Sequence, residues 1–214
     1  MASVGYLMRD KSPLGKINEI ADLTDVNSFF DLLRLRDFVF KLIPWFVDPS
    51  DSKLDLTVFN VINLYNQFKC REIGGWCGLN AEYYQHILYW YNIKTRPYNF
   101  GLRYKNITHV GVIVEYDGME FFMDPYFAMH YIHRDGFPLQ FKDLMNLISD
   151  RKFDRIIPIY SDCRKEVQQQ DGSFLSNNPT ELFKSVLGSW PNYDREMMDV
   201  FGMQNPELLM MLKI

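Results

Sequence analysis

Three side chains of this sequence could together perform nucleophilic chemistry: a cysteine, a histidine and an aspartate. Cys77 follows two glycines and a tryptophan in GGWCGLNA, at the predicted start of a helix. The N-terminus of a helix carries partial positive charge and unpaired backbone N–H groups, which stabilise a thiolate and later an oxyanion. This setting is typical of a nucleophile, whereas a free cysteine elsewhere is commonly a small buried hydrophobe.

The general base is expected on a strand rather than on the helix of Cys77. His86 would lie roughly 13 Å along the helix axis from Cys77, which is too far for a hydrogen bond. His109 lies in ITHVGVIVEYDGMEFFMDPYF, where the dipeptide Asp117-Gly118 predicts a two-residue hairpin turn. His109 is therefore the candidate base, although a strand histidine that bonds to a backbone carbonyl is the plain alternative.

The same hairpin supplies a carboxylate for this histidine. With a two-residue turn Tyr116 faces Met119, and in the same register Gly111 faces Asp124. Because side chains alternate along a strand, Asp124 shares a face with His109, diagonally offset by two positions. Diagonal neighbours lie about 7–8 Å apart, within reach of an imidazole and a carboxylate that lean together. A turn one residue longer would place the two side chains on opposite faces.

Together these residues resemble the transglutaminase-like superfamily, a papain-like group of thiol enzymes with a Cys-His-Asp triad. The resemblance covers about residues 60–127. It rests on the order Cys77, His109, Asp124, on the glycines before the cysteine, on the sequence MDPYF and on Arg96 shortly after the helix. It implies an α+β fold with a papain-like core, in which helices pack on an antiparallel sheet.

The resemblance also implies covalent acyl transfer. Cys77 would attack an amide or thioester carbonyl, His109 would activate the thiol and protonate the leaving group, and Asp124 would hold the tautomer of the imidazole. The acyl-enzyme would pass to water, as in an amidase or peptidase, or to an amine, as in a transferase. The expected partner is a peptide, protein or carrier-bound acyl substrate, and no cofactor and no metal are expected.

Three further residues are candidates for contacts with the substrate or its intermediates. The backbone N–H of Cys77 is expected to form half of the oxyanion hole, and Gln67 is the candidate for the second donor. Trp76 could stack against the substrate, with a place in the core as its alternative. Arg96 could bind a substrate carboxylate, and a structural or solvated arginine is the alternative there.

Other functions remain open. The run GGWCGLNA is also similar to the arylamine N-acetyltransferases, which share the triad but usually carry a glutamate where this chain has Leu79. Those enzymes also have a larger C-terminal acyl-cofactor region. A catalytically silent binding module that keeps the scaffold is another alternative. His130, His133 and Cys163 could bind zinc, but no fourth ligand stands at a convincing spacing.

The composition excludes several classes of protein. Apolar residues make up 47% of the 214 residues, so global disorder is not expected. The formal charge is −4 and no run of five like charges occurs, so no nucleic-acid partner is indicated. Neither a secretory signal nor an apolar stretch of about 18 residues is found, so no membrane association is expected. Three cysteines fit a reducing compartment, which predicts a cytoplasmic protein of undetermined oligomeric state.

The elements that must position these residues form a helical front, a β-rich middle and a helical tail. A single domain over residues 1–214 is expected, with a helical part at about 1–70, a catalytic core at about 71–162 and a helical part at about 180–214. Helices are predicted from a cap at Thr24 and Asp25 to Pro44, at Leu56–Phe68 and at Cys77–Tyr91. Strands are predicted at Arg96–Leu102, Thr108–Tyr116, Met119–Asp124 and Arg155–Ser161. The polar stretch Lys165–Pro179 is predicted to be a loop, either a solvated surface loop remote from the site or a lid over the cleft near Cys77. Helices are predicted to follow near Thr180–Leu187 and Tyr193–Leu212.

Overall fold

The computed structural model describes residues 14–43, 61–75, 77–102, 107–150 and 152–163. Its α-helices in these ranges are α1 (Phe29–Leu42), α2 (Val61–Lys69), α3 (Cys77–Trp90) and α4 (Phe141–Ser149). Its strands are β1 (Lys94–Leu102), β2 (Ile107–Tyr116), β3 (Met119–Asp124), β4 (Met129–His133) and β5 (Ile156–Tyr160). No helix in these ranges is long and apolar enough to cross a membrane.

The five strands form one antiparallel sheet in the order β1-β2-β3-β4-β5. Each strand pairs with the next strand along the chain, so each connection joins neighbours in the sheet. The fold is therefore α+β, with helices packed on an antiparallel sheet, as the sequence predicts.

The hairpin between β2 and β3 has the predicted two-residue turn. Asp117 and Gly118 have φ values of 51° and 71°, both in the left-handed region that a type I′ turn requires. Such a turn matches the right-handed twist of the flanking strands. The pairs run from Tyr116 opposite Met119 to Val112 opposite Met123, so the predicted register is confirmed.

The sheet is covered on both faces at β2, an interior strand between β1 and β3. On one face Val110, Val112 and Val114 pack into an apolar cluster with α1, α2 and α3. On the other face Ile113 packs into a second cluster with α4 and with Tyr98 of β1. Burial on both faces explains why the sequence of β2 is almost continuously apolar.

Helix α1 begins later than the sequence predicts. Its N-cap is Ser28, whose hydroxyl oxygen accepts a hydrogen bond from the backbone N–H of Asp31 at 3.2 Å. The Asp31 carboxylate in turn accepts from the Ser28 hydroxyl and from the backbone N–H of Asn27. This reciprocal capping fixes the start at Phe29, so the predicted cap at Thr24 and Asp25 is wrong.

Two further elements were not predicted. Strand β4 and helix α4 fill the stretch between Asp124 and β5, and β4 pairs with both β3 and β5. Helix α4 carries the signal of an amphipathic helix, since apolar residues recur at helical spacing: Phe141, Leu144, Met145 and Ile148. The predicted start of the second helix, the loop at Lys165–Pro179 and the C-terminal helices lie outside the described residues.

Candidate active site

Cys77 is the first residue of α3 and is half-buried. The chain before it passes close to the first turn of the helix, because a Cβ atom on Gly75 would lie 2.5 Å from Cδ2 of Leu79. The side chain of the buried Asn80 also donates to the carbonyl of Gly75, at 3.4 Å. The second glycine of GGWC is therefore needed for packing against α3, and this contact places Cys77 at the helix N-terminus.

His109 and Asp124 meet as the hairpin register requires. Nε2 of His109 lies 2.6 Å from Oδ2 of Asp124, and both side chains are almost fully buried. Because the pair lies away from water, its hydrogen bond is stronger than one on the surface. The contact fixes the orientation of the imidazole ring.

The other oxygen of Asp124 is held by the turn that follows β3. Oδ1 accepts from the backbone N–H groups of Tyr126 and Phe127, each at 3.0 Å. The turn ends at Ala128, which has a left-handed φ of 48° and whose carbonyl accepts from the N–H of Ser161 at 2.9 Å. The carboxylate therefore accepts three hydrogen bonds in a fixed position.

Cys77 completes the arrangement through a hydrogen bond with His109. Burial alone would raise the pKa of Cys77, but the hydrogen bond and the charge of His109, together with the N–H of Val110, lower it below its ordinary value. Burial likewise opposes the charged form of His109, yet Asp124 and Cys77 raise its pKa to about 10. Since Nε2 bonds to Asp124, the bond to the sulfur is made through Nδ1. Both shifts favour a thiolate on Cys77 beside an imidazolium on His109.

Two aromatic side chains next to Asp124 cover the imidazole. The ring centre of Phe127 lies 4.9 Å from that of His109, and the ring centre of Tyr126 lies 5.8 Å from it. Neither residue was predicted to belong to the site, although they lie two and three residues after the aspartate in MDPYF. They exclude water from the buried side of the histidine.

Gly111 has a different role from the one that the register suggests. The sequence places it opposite Asp124, where a missing side chain would leave space beside the imidazole. In the structure a Cβ atom on Gly111 would lie 2.5 Å from two ring atoms of Phe122. The space is therefore filled by the Phe122 ring, which packs directly on the backbone of β2.

Of the other predicted site residues, Arg96 lies away from the triad. Arg96 is exposed on β1 and binds Glu120 through two hydrogen bonds, of 3.0 and 3.3 Å, while its guanidinium stacks 5.4 Å from the centre of the Phe141 ring. It pairs with Ile113, which is roughly 13 Å along β2 from His109. Gln67 is half-buried on α2. Trp76 lies outside the described residues, so its role stays a prediction.

The two histidines of the possible zinc site do not converge. Nδ1 of His130 accepts a hydrogen bond from the buried Arg36 at 2.9 Å, and burial together with Arg36 lowers the pKa of His130 to about 3. His133 instead pairs with Asp135 at 3.1 Å and stacks on Phe137. Over the described ranges, no group of three or more His, Cys, Asp or Glu residues is arranged to hold a metal ion.

Comparisons of the chain with protein-family models, with curated proteins and with solved structures find no match.

Proposed function

We propose that this protein is a transglutaminase-like thiol enzyme that transfers or hydrolyses acyl groups through an acyl-enzyme on Cys77. The observation that carries the proposal is the continuous line of hydrogen bonds from Cys77 through His109 to Asp124. The histidine favours ionisation of the thiol, and a carboxylate orients the histidine. This combination of a nucleophile, a base and an orienting group is what covalent acyl transfer requires.

The geometry accounts for each proton in the reaction. The Cys77 thiolate attacks the carbonyl carbon, and His109 gives its Nδ1 proton to the departing amine or thiol as the bond to the leaving group breaks. The neutral imidazole then takes a proton from the water or amine that attacks the thioester. The acyl group leaves Cys77, and the thiolate–imidazolium pair is restored. Asp124 keeps its hydrogen bond to Nε2 throughout.

The exposure of the three residues supports entry of the substrate beside Cys77. His109 and Asp124 are 6% and 1% exposed, whereas Cys77 is only half-buried. An acyl group can therefore reach the sulfur from the side of the α3 N-terminus. On that side the backbone N–H of Cys77 and the helix dipole favour the negative charge of the tetrahedral intermediate. The proposed acyl donors are amides or thioesters of peptides, proteins or carriers.

Intact-protein mass spectrometry tests the proposal. We expect at least one member of a panel of acyl thioesters, amides and peptides, including an acetyl thioester, to leave an adduct of one acyl group on the protein. For the acetyl thioester, addition of an arylamine acceptor should remove the adduct if the protein is an arylamine N-acetyltransferase-like enzyme. The adduct should vanish in Cys77→Ala and persist in Cys70→Ala, because Cys70 is an exposed cysteine outside the site. A binding module without activity would give no adduct, and an adduct that survives Cys77→Ala would contradict the proposal.

We also propose that the protein works in a reducing compartment such as the cytoplasm. All three cysteines are free in the structure, which supports this location. A disulfide found by mass mapping of the protein purified from its native cells under thiol-blocking conditions would contradict it.

A further inference from the structure

A buried arginine on α1 forms an ion pair with the aspartate that follows it. Arg36 is 2% exposed, and its Nε and Nη2 donate to Oδ1 of Asp37 at 2.8 and 2.6 Å. Placing a guanidinium in the core costs free energy, and apolar residues of similar volume often stabilise a fold equally well or better. Stability of the core alone therefore gives no reason for a charged pair at this position.

The pair makes one hydrogen bond to β4 and one to the end of β5. Nη1 of Arg36 donates to Nδ1 of His130, which lies on β4, at 2.9 Å. Oδ2 of Asp37 accepts from the hydroxyl of Ser161, which directly follows β5, at 2.5 Å. We call these four side chains the α1 clamp. The clamp connects the helix to two strands that lie far from it in the sequence.

The α1 clamp ends at the two residues that flank the strand partner of Asp124. Met129 on β4 pairs with Asp124 on β3. His130 is the residue after Met129, and its imidazole accepts from the arginine of the clamp. Ala128 is the residue before Met129, and its carbonyl accepts from the backbone N–H of Ser161 at 2.9 Å. The segment beside the catalytic carboxylate is therefore tied to α1 on both sides.

The turn between Asp124 and Ala128 depends on such contacts. Ala128 has a φ of 48°, a left-handed conformation that costs free energy in alanine and persists only where the surroundings hold it. The same turn supplies the N–H groups of Tyr126 and Phe127 to Oδ1 of Asp124, each at 3.0 Å. A shift of this turn would therefore move the carboxylate that bonds to Nε2 of His109.

We propose that the α1 clamp positions the triad, because it holds the turn after β3 so that Asp124 stays aligned with His109. This inference rests on the proposed function. Arg36, Asp37 and Ser161 act through the turn, so they are positioning residues and not catalytic ones. Displacement of a reacting group by about 1 Å can slow a reaction by about 100-fold. A displaced carboxylate would also stabilise the imidazolium less, and the catalytic thiol would then be less ionised at low pH.

The pH profile of alkylation tests this role, because lower stability alone does not change the profile of a protein that is still folded. The rate with iodoacetamide is measured by mass spectrometry on the peptide that contains Cys77. Arg36→Met removes the donors to Asp37 and His130 and leaves an apolar side chain of similar length. We expect this variant to react about 10-fold more slowly than the wild type at pH 6.5 and at a similar rate near pH 10.

A second position tests the clamp without removal of a buried charge. Ser161→Ala deletes only the hydroxyl that donates to Asp37, so it should give a smaller fall at pH 6.5 in the same direction. Ser161→Thr keeps a hydroxyl and should recover most of the lost rate. Arg34→Met is the matched control on the same helix, since Arg34 binds Asp22 at 3.0 and 3.1 Å in an exposed pair. This variant should keep the wild-type profile.

The outcomes separate this inference from the proposed function. If the wild type accepts no acyl group on Cys77, the proposed function fails and the inference fails with it. If the wild type is acylated but Arg36→Met or Ser161→Ala keeps the wild-type alkylation profile, only the inference is overturned. A shift in Arg34→Met equal to that in Arg36→Met would assign the effect to α1 in general and would also overturn it. Should Arg36→Met not fold, the two Ser161 variants decide by the same criteria.

Discussion

Replacement of Asp124 by asparagine would test the central feature of the site, which is the charge that holds His109 protonated. The substitution keeps the size of the side chain and an oxygen that can accept from the N–H groups of Tyr126 and Phe127. It removes the negative charge that lies 2.6 Å from Nε2 of His109. We therefore expect the fold to persist and the ionisation of the site to change.

The size of the change follows from the interaction between the two charges. Opposite unit charges about 4 Å apart interact by about 4 kcal/mol at the effective dielectric constant of a protein. This free energy corresponds to about 3 pH units in the pKa of His109. The pKa of about 10 would fall to the ordinary range of histidine or below it, because burial continues to disfavour the charged ring. Without an imidazolium beside it, the buried thiol of Cys77 would then have a pKa equal to or above that of an ordinary cysteine.

The rate of alkylation by iodoacetamide as a function of pH measures this effect. Reaction of the wild type should already be fast well below pH 8.5, whereas an ordinary thiol is only about 1% ionised at pH 6.5. We therefore expect Asp124→Asn to react about 100-fold more slowly at pH 6.5 and at a similar rate near pH 10.

A matched control is available elsewhere in the chain. Asp135 pairs with His133 at 3.1 Å, but its side chain is 73% exposed, so the Asp135→Asn variant makes the same chemical change outside the site. It should leave the alkylation profile unchanged. If the profile of Asp124→Asn coincides with that of the wild type, the charge of Asp124 does not maintain the ion pair and the reasoning is refuted.

Three further predictions concern stability. Gly111→Ala should lower the free energy of unfolding by about 1–3 kcal/mol, because its Cβ would overlap the ring of Phe122. Gly15→Ala is the control, since a Cβ there would lie in open space and should not lower it. Equal urea midpoints for the two variants would contradict this prediction. Ser28→Ala should lower the free energy of unfolding by about 1 kcal/mol in the same urea titration, because the helix loses its N-cap. A midpoint equal to that of the wild type would show that the cap is dispensable. The raised pKa of His109 stabilises the fold fully below about pH 6.5, and this contribution is lost as the pH rises through about 10. His109→Gln should therefore lose less stability than the wild type as the pH rises from about 6.5 to about 10. An identical dependence of the unfolding free energy on pH in both proteins would refute this prediction.

The sequence alone determined the hairpin and the residues that it carries. The dipeptide Asp117-Gly118 defines a turn of two residues, and the alternation of side chains then decides that His109 and Asp124 share a face. The start of α3 at Cys77 is similarly local, since it depends on the residues next to the boundary. Turn chemistry and strand periodicity act over a few residues, so they can be read without knowledge of the fold.

The tertiary structure decided the environment of these side chains. The contact of Cys77 with His109 joins a helix to a strand. It is therefore the packing of α3 against β2 that lowers the pKa of Cys77 and raises the pKa of His109. The ring of Phe122 over Gly111 and the rings of Tyr126 and Phe127 beside the imidazole likewise depend on contacts between neighbouring segments of the fold. Burial and the distances between charges are properties of contacts between segments far apart in the chain. No local pattern specifies them, because the same residues would be solvated and unpaired in an isolated hairpin.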